Sequence, residues 1–87
     1  MMRLVYSSDA EKNLARLPAA IAERIHEKIQ WFAGQEDPIV FAKPLHGDRK
    51  GCYRFRIGDY RAVFTIQNGK VLVLLVLVIQ HRKEVYR

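Results

Sequence analysis

The chain has 87 residues, 49% of them hydrophobic, with a net charge of +6 and one cysteine, Cys52. That length suits one domain, residues 1–87, and the hydrophobic fraction argues against disorder. A lone cysteine excludes an internal disulfide and a cysteine-built zinc cluster, and it makes a reducing, cytoplasmic setting the expectation.

The charge is uneven. Residues 1–42 hold five Lys/Arg against six Asp/Glu, whereas residues 43–87 hold ten against three. All the excess positive charge therefore sits in the second half, which favours a polyanionic or acidic partner. Residues 1–17 carry charges where a signal peptide needs an apolar stretch. Val71 to Ile79 is wholly apolar but too short to span a bilayer as a helix, so no membrane role is expected. It reads instead as a strand buried on both faces.

In chain order, Arg3 to Ser7 reads as a first strand with Leu4 and Tyr6 on one face. Ser8 stands three residues before Glu11, the spacing of a capping box, and opens a helix that runs to about Leu17. Pro18 suits the first turn of a second helix. Ile21, Ile25, Ile29 and Phe32 mark one face of that helix, and Gly34 ends it. The two helices make a hairpin that covers one face of a sheet. His26 falls near the polar side of the second helix, which suits a surface role. Residues Gln35 to Cys52 lack a period, and Asp37-Pro38 and Lys43-Pro44 break regular structure. Within them, His46 to Gly51 forms a polar, basic loop that either approaches a ligand or is solvated.

Tyr53 to Ile66 organises the rest. Apolar and polar residues alternate from Tyr53 to Ile57, Gly58-Asp59 supplies a tight turn, and a second run starts at Tyr60. A two-residue turn sets Ile57 opposite Tyr60, Arg56 opposite Arg61, Phe55 opposite Ala62 and Arg54 opposite Val63. One face then carries Tyr53, Phe55, Ile57, Tyr60, Ala62, Phe64 and Ile66. The other carries Arg54, Arg56 and Arg61. Like charges placed opposite each other destabilise a sheet, so this face is either splayed into water or an anion site. Asn68-Gly69 reads as a second two-residue turn. Its register pairs Ile66 with Val71, which places Leu72, Leu74, Val76 and Val78 on the arginine face and Val71, Val73, Leu75, Leu77 and Ile79 on the helix face. Apolar residues next to arginines on an open face mark a binding surface.

The expected architecture is a two-layer α+β domain in the order strand-helix-helix-strand-strand-strand with a short C-terminal tail. The sheet is rich in antiparallel pairs and the helical hairpin packs on one face. His26, His46 and His81 are scattered and no metal, dinucleotide or P-loop motif is visible. Neither a metal nor a cofactor is implied. Arg54, Arg56, Arg61, His81, Arg82 and Tyr86 remain as candidates for phosphate chemistry, with Lys50 as a further cation. Cationic groups stabilise charge that develops at a phosphodiester, and His or Tyr can move a proton.

Tyr53-Arg-Phe-Arg-Ile-Gly-Asp-Tyr-Arg-Ala-Val-Phe64, the apolar strand after it, the ending His81-Arg-Lys-Glu-Val-Tyr86 and the segment Lys43-Pro-Leu-His-Gly47 resemble the RelE/ParE superfamily of toxins. The resemblance covers nearly the whole chain, the helical hairpin included. It implies a RelE-like fold and a toxin of a type II toxin–antitoxin pair, with a cognate antitoxin as partner in a hetero-oligomer. RelE-like members cut mRNA in the ribosomal A site without a metal. The 2′-hydroxyl attacks the adjacent phosphate and leaves a 2′,3′-cyclic phosphate and a 5′-hydroxyl. ParE-like members instead poison DNA gyrase and are not nucleases. On the RelE reading, Arg54 and Arg56 hold ribose-phosphate, Arg61 meets the scissile phosphate, and His81 and Tyr86 transfer protons, with Lys50 and Arg82 as further RNA contacts. Best-known RelE members carry lysine where this chain has Arg54 and Arg56. Arginine stays protonated and is a poor base, which leaves the proton to Tyr86 or His81.

Overall fold

The computed structural model describes the backbone of residues 2–85 and the side chains of residues 2–83. Five strands form one mixed sheet: β1 Arg3–Tyr6, β2 Lys43–Pro44, β3 Tyr53–Ile57, β4 Tyr60–Asn68 and β5 Leu72–His81. Their spatial order is β1-β5-β4-β3-β2, with β1 parallel to β5 and the other pairs antiparallel. Two helices, α1 (Ser8–Ala15) and α2 (Ala19–Ala33), follow β1 and cover one face, and a four-residue helix α3 (Arg82–Val85) follows β5. This is the α+β arrangement expected from the sequence. Not expected were the short strand β2, the parallel pairing of β1 and the helix α3.

Both helix starts follow from short-range chemistry. The N-cap of α1 is Ser7 rather than Ser8: its Oγ accepts the Ala10 N–H at 3.0 Å. The same hydroxyl donates to the Leu77 carbonyl at 2.7 Å, and the Ser7 N–H donates to the Val76 carbonyl at 2.8 Å. One residue thus caps a helix and ties it to β5. Pro18 stands just before α2, where its fixed φ and missing N–H are harmless, and Gly34 ends the helix.

The face predicted for α2 is the one it buries. Ile25, Ile29, Phe32 and Ala33 meet Phe55, Ile57, Ala62, Phe64, Leu74, Val76 and Ile79 in one core. Phe55 lies between Phe32 and Phe64, stacked on each with ring centroids 4.0 and 4.1 Å apart. Tyr6 and His26 join β1 to α2 through a 2.7 Å hydrogen bond, so His26 is a packed residue rather than a free surface one. Burial raises the Tyr6 pKa from 10.0 to about 12. The unfolded chain ionises first, so this residue's contribution to stability is intact below pH 10.0 and is lost as pH rises towards about 12. Alkaline denaturation should lose part of its steepness in Tyr6→Phe, measured as melting temperature against pH; an unchanged profile would remove Tyr6 as its source.

The first hairpin has the expected register, from Tyr53–Phe64 through Arg56–Arg61 to Ile57–Tyr60. Gly58 has φ +59° and, among the described residues, no non-glycine residue has positive φ, the backbone pattern of a type II′ turn at Gly58-Asp59. The second hairpin departs from expectation. Its strands end at Asn68 and restart at Leu72, so three residues connect them. Gly69 does not adopt the positive φ that a two-residue Asn-Gly turn of type I′ requires. Ile66 pairs with Leu74 and Phe64 with Val76. Leu72, Leu74 and Val76 therefore stand on the helix side, with Leu74 and Val76 fully buried. Val73 and Leu75 move to the other face. A bulge at Leu77, between the Phe64–Val76 and Val63–Val78 pairs, restores the parity beyond it. Val78 and Ile79 consequently lie on the faces first assigned to them.

Candidate functional site

The face of the sheet away from α1 and α2 carries Arg54 and Arg56 on β3 and Arg61, Val63 and Thr65 on β4. Val73, Leu75, Val78 and Gln80 on β5 complete it by register. Arg61 lies directly opposite both Arg56 and Gln80, and β2 adds Lys43 opposite Arg54. Like charges meet across two strand pairs here. Nothing in sheet formation rewards that.

A loop closes one end of this face. Leu45 N–H donates to the Cys52 carbonyl at 2.9 Å, which extends the β2–β3 pairing outwards, and Cys52 N–H donates to the Arg49 carbonyl at 2.9 Å. Gly47 and Gly51 take φ +68° and +92°, which lets the chain double back within these few residues. The Thr65 hydroxyl on β4 donates to the Gly51 carbonyl at 3.1 Å and ties the loop to the sheet.

Between loop and sheet lies a cleft of about 360 Å³ lined by Leu45, His46, Arg49, Arg54, Arg61, Val63 and Gln80. Three guanidiniums line it and none of these seven residues is acidic. Arg61 is 9% exposed, while Arg54 is half-buried. Val63 and Leu45 supply apolar walls, which strengthen electrostatic attraction beside them. Arginine forks bind phosphate bidentately, and buried ones are pre-oriented to do so. His46 adds an imidazole able to take or give a proton.

The sequence candidates divide accordingly. Arg54 and Arg61 meet in the cleft. Arg56 shares their face but lies further out, in a smaller hollow with Phe41, Lys43 and Arg54. His81 is opposite Tyr60 in register and packs edge-on against its ring at 5.1 Å, so it sits on the helix side of the sheet. There it lines a different hollow with Asn13, Arg16, Leu17, Tyr60 and Ile79. The structure does not bring it together with Arg61. Arg82 reaches the Gly58-Asp59 turn, its Nε 3.6 Å from Asp59 Oδ1, and does not line the cleft. Lys50 is an exposed loop residue, and Arg49 beside it is the one that lines the cleft. Tyr86 lies outside the described residues. His46, Arg49 and Gln80 are the polar lining residues that sequence reasoning did not name as site residues. Gln80 has the parity that the expected register gives it, but only the observed register sets it opposite Arg61; the loop residues carry no periodic signal. Among the described residues no group of His, Cys, Asp and Glu could hold a metal ion, and no helix is long and apolar enough to cross a membrane.

Comparison with known proteins places this chain in a family. The chain is 28% identical over 82 residues to the toxin RelG of Mycobacterium tuberculosis, spanning 94% of this chain and 92% of RelG. The structure is similar to the toxin–antitoxin complex RelBE2 from Mycobacterium tuberculosis, with a TM-score of 0.76 and 25% identity over 93% of this chain and 91% of that one. It is also similar to the archaeal RelE–RelB complex from Pyrococcus horikoshii, with a TM-score of 0.71 and 28% identity over 93% and 94% of the two chains. The family described as the ParE toxin of the type II toxin–antitoxin system parDE matches residues 4–86, and the chain belongs to it, within the RelE/ParE superfamily of toxins.

Proposed function

We propose that this toxin is a metal-independent endoribonuclease that cuts mRNA in the ribosomal A site and so inhibits translation. The observation that carries the reading is the cleft in which Arg49, Arg54 and buried Arg61 converge with His46. In the proposed reaction the 2′-hydroxyl of one nucleotide attacks the adjacent phosphate. An O2′–P bond forms and the P–O5′ bond breaks, leaving a 2′,3′-cyclic phosphate and a 5′-hydroxyl. Arg61 stabilises the charge that builds on the phosphoryl oxygens, and Arg54 and Arg49 hold the neighbouring phosphates. One proton leaves the 2′-hydroxyl and one reaches the departing 5′-oxygen. His46 is the lining residue suited to that transfer, in place of His81. Tyr86 keeps the proton-transfer role that the family resemblance implies for it.

A cognate antitoxin is the proposed partner, since the similar structures are toxin–antitoxin complexes. Val73, Leu75 and Val78, half-buried beside the arginines, are the apolar residues of the open face that it would cover. Residues 1–87 act as one domain in this reading. A second reading, gyrase poisoning without nuclease activity, is favoured by the ParE family match and by the separation of His81 from the arginines. Primer extension on mRNA bound to translating ribosomes tests the choice: discrete A-site cuts are expected from the wild-type protein. Uncut mRNA combined with arrested gyrase supercoiling would replace the first reading with the second.

A further inference from the structure

The outer corner of the molecule, where α2 meets the turn Pro38–Phe41, exposes three large apolar side chains. Trp31 is 46%, Phe41 45% and Val40 70% exposed. The Trp31 and Phe41 rings meet edge-to-face at 5.2 Å, and Phe41 leans on Phe32 at 5.8 Å, itself stacked on Phe55 in the core. These exposed rings are thus the outer end of an aromatic stack that runs into the core, which holds them rigidly. Lys28 Nζ lies 4.6 Å from the Trp31 ring centroid.

The surroundings decide what such a shelf suits. A hollow against Trp31 is lined by Arg24, Glu27, Lys28 and Arg56. The adjoining hollow is lined by Phe41, Lys43, Arg54 and Arg56. Arg54 also lines the arginine cleft. Adjacent hollows therefore share Arg56 and then Arg54, and cations run without a break from the cleft to the aromatic corner, with Glu27 the one acid among the lining residues. An apolar patch ringed by mixed charge would suit a protein helix. A cationic track that ends on aromatic faces suits single-stranded nucleic acid, with phosphates on the cations and bases on the rings.

We infer that Phe41 and Trp31 stack bases of the RNA strand that leaves the arginine cleft, with Lys43 and Arg56 on the phosphates between. This rests on the reading of the cleft as an RNA phosphate site, and the test separates the two. Trp31 is the single tryptophan of the chain, so its emission reports on the shelf alone. A 2′-O-methyl trinucleotide and decanucleotide, which lack the attacking hydroxyl, are titrated into the full chain. Anisotropy of a terminal dye reads binding, and tryptophan emission reads contact. Both oligonucleotides bind, but the decanucleotide alone quenches Trp31; abasic residues at its outer positions abolish the quenching. Phe41→Ala weakens the decanucleotide by about 5- to 150-fold and leaves the trinucleotide unchanged. Phe41→Leu, which keeps the apolar contact with Phe32 but not the ring, shows the same split. A decanucleotide that binds without quenching, and equally well without Phe41, overturns the shelf and leaves the cleft reading standing. Failure of both oligonucleotides to bind overturns both. Quenching by an acidic amphipathic peptide and not by RNA assigns the shelf to a protein partner and overturns the proposal.

Discussion

Phe55→Ala should lower the melting temperature by roughly 15–30 °C, from a loss of about 3–5 kcal/mol in a domain of this size. Phe55 is fully buried, and its ring is stacked on both sides by Phe32 of α2 and Phe64 of β4. Truncation removes two stacked contacts and opens a cavity at the joint between sheet and helix. Neighbouring rings cannot collapse into it without leaving their own partners: Phe32 also contacts Trp31 and Phe41, and Phe64 contacts Tyr53. The whole stability of a small domain is about 5–15 kcal/mol, so one ring accounts for a large share. Thermal unfolding followed by circular dichroism reads the change. A shift of only a few degrees would mean that this stack does not hold the helices to the sheet.

Phe55 was legible as a core residue because its strand has one apolar and one polar face. Alternation from Tyr53 to Ile57 identifies the faces, and Gly58 with positive φ makes a two-residue turn. A one-residue slip of β3 would turn Arg54 and Arg56 into the core and Phe55 out of it, so this register is strongly determined. The next strand lacks that contrast. Val71 to Ile79 is apolar at every position, so a slip costs little on pattern alone and the turn length must decide. That turn has three residues. The register is instead held by contacts distant in sequence: Ser7 on the Val76 and Leu77 carbonyls, Asn13 Oδ1 accepting the Ile79 N–H at 2.9 Å, and the parallel pairing with β1. No local pattern encodes those.

The candidate site shows the same division. Arg54 and Arg61 were placed together by alternation and one tight turn. His81 follows Gln80, and a single step along a strand carries a side chain through the sheet. His81 therefore packs on Tyr60 while Gln80 faces Arg61. Arg49 and His46 reach the cleft because Thr65 anchors the loop at Gly51, a contact across 14 residues that a loop without periodicity cannot announce.

On the proposed nuclease reading, Arg61→Ala should reduce A-site cleavage by about 10²–10³-fold, the typical cost of one group that stabilises transition-state charge. Arg61 is the most buried of the cleft's cations, and strands β3 and β5 hold it on either side through the Arg56 and Gln80 positions. A guanidinium fixed in this way needs little reorganisation when negative charge develops on phosphate. Its loss should lower kcat more than it raises KM, because the attraction is greatest in the transition state. Arg61→Lys keeps the charge but not the two-pronged geometry, so it should recover only part of the rate. Arg54→Lys and Arg56→Lys should be milder still, since both side chains are more exposed and the positive charge persists. The measurement is cleavage of ribosome-bound mRNA by purified protein, with circular dichroism and melting temperature confirming the fold of each variant. A folded Arg61→Ala protein that cuts at the wild-type rate would move the chemistry out of the arginine cleft.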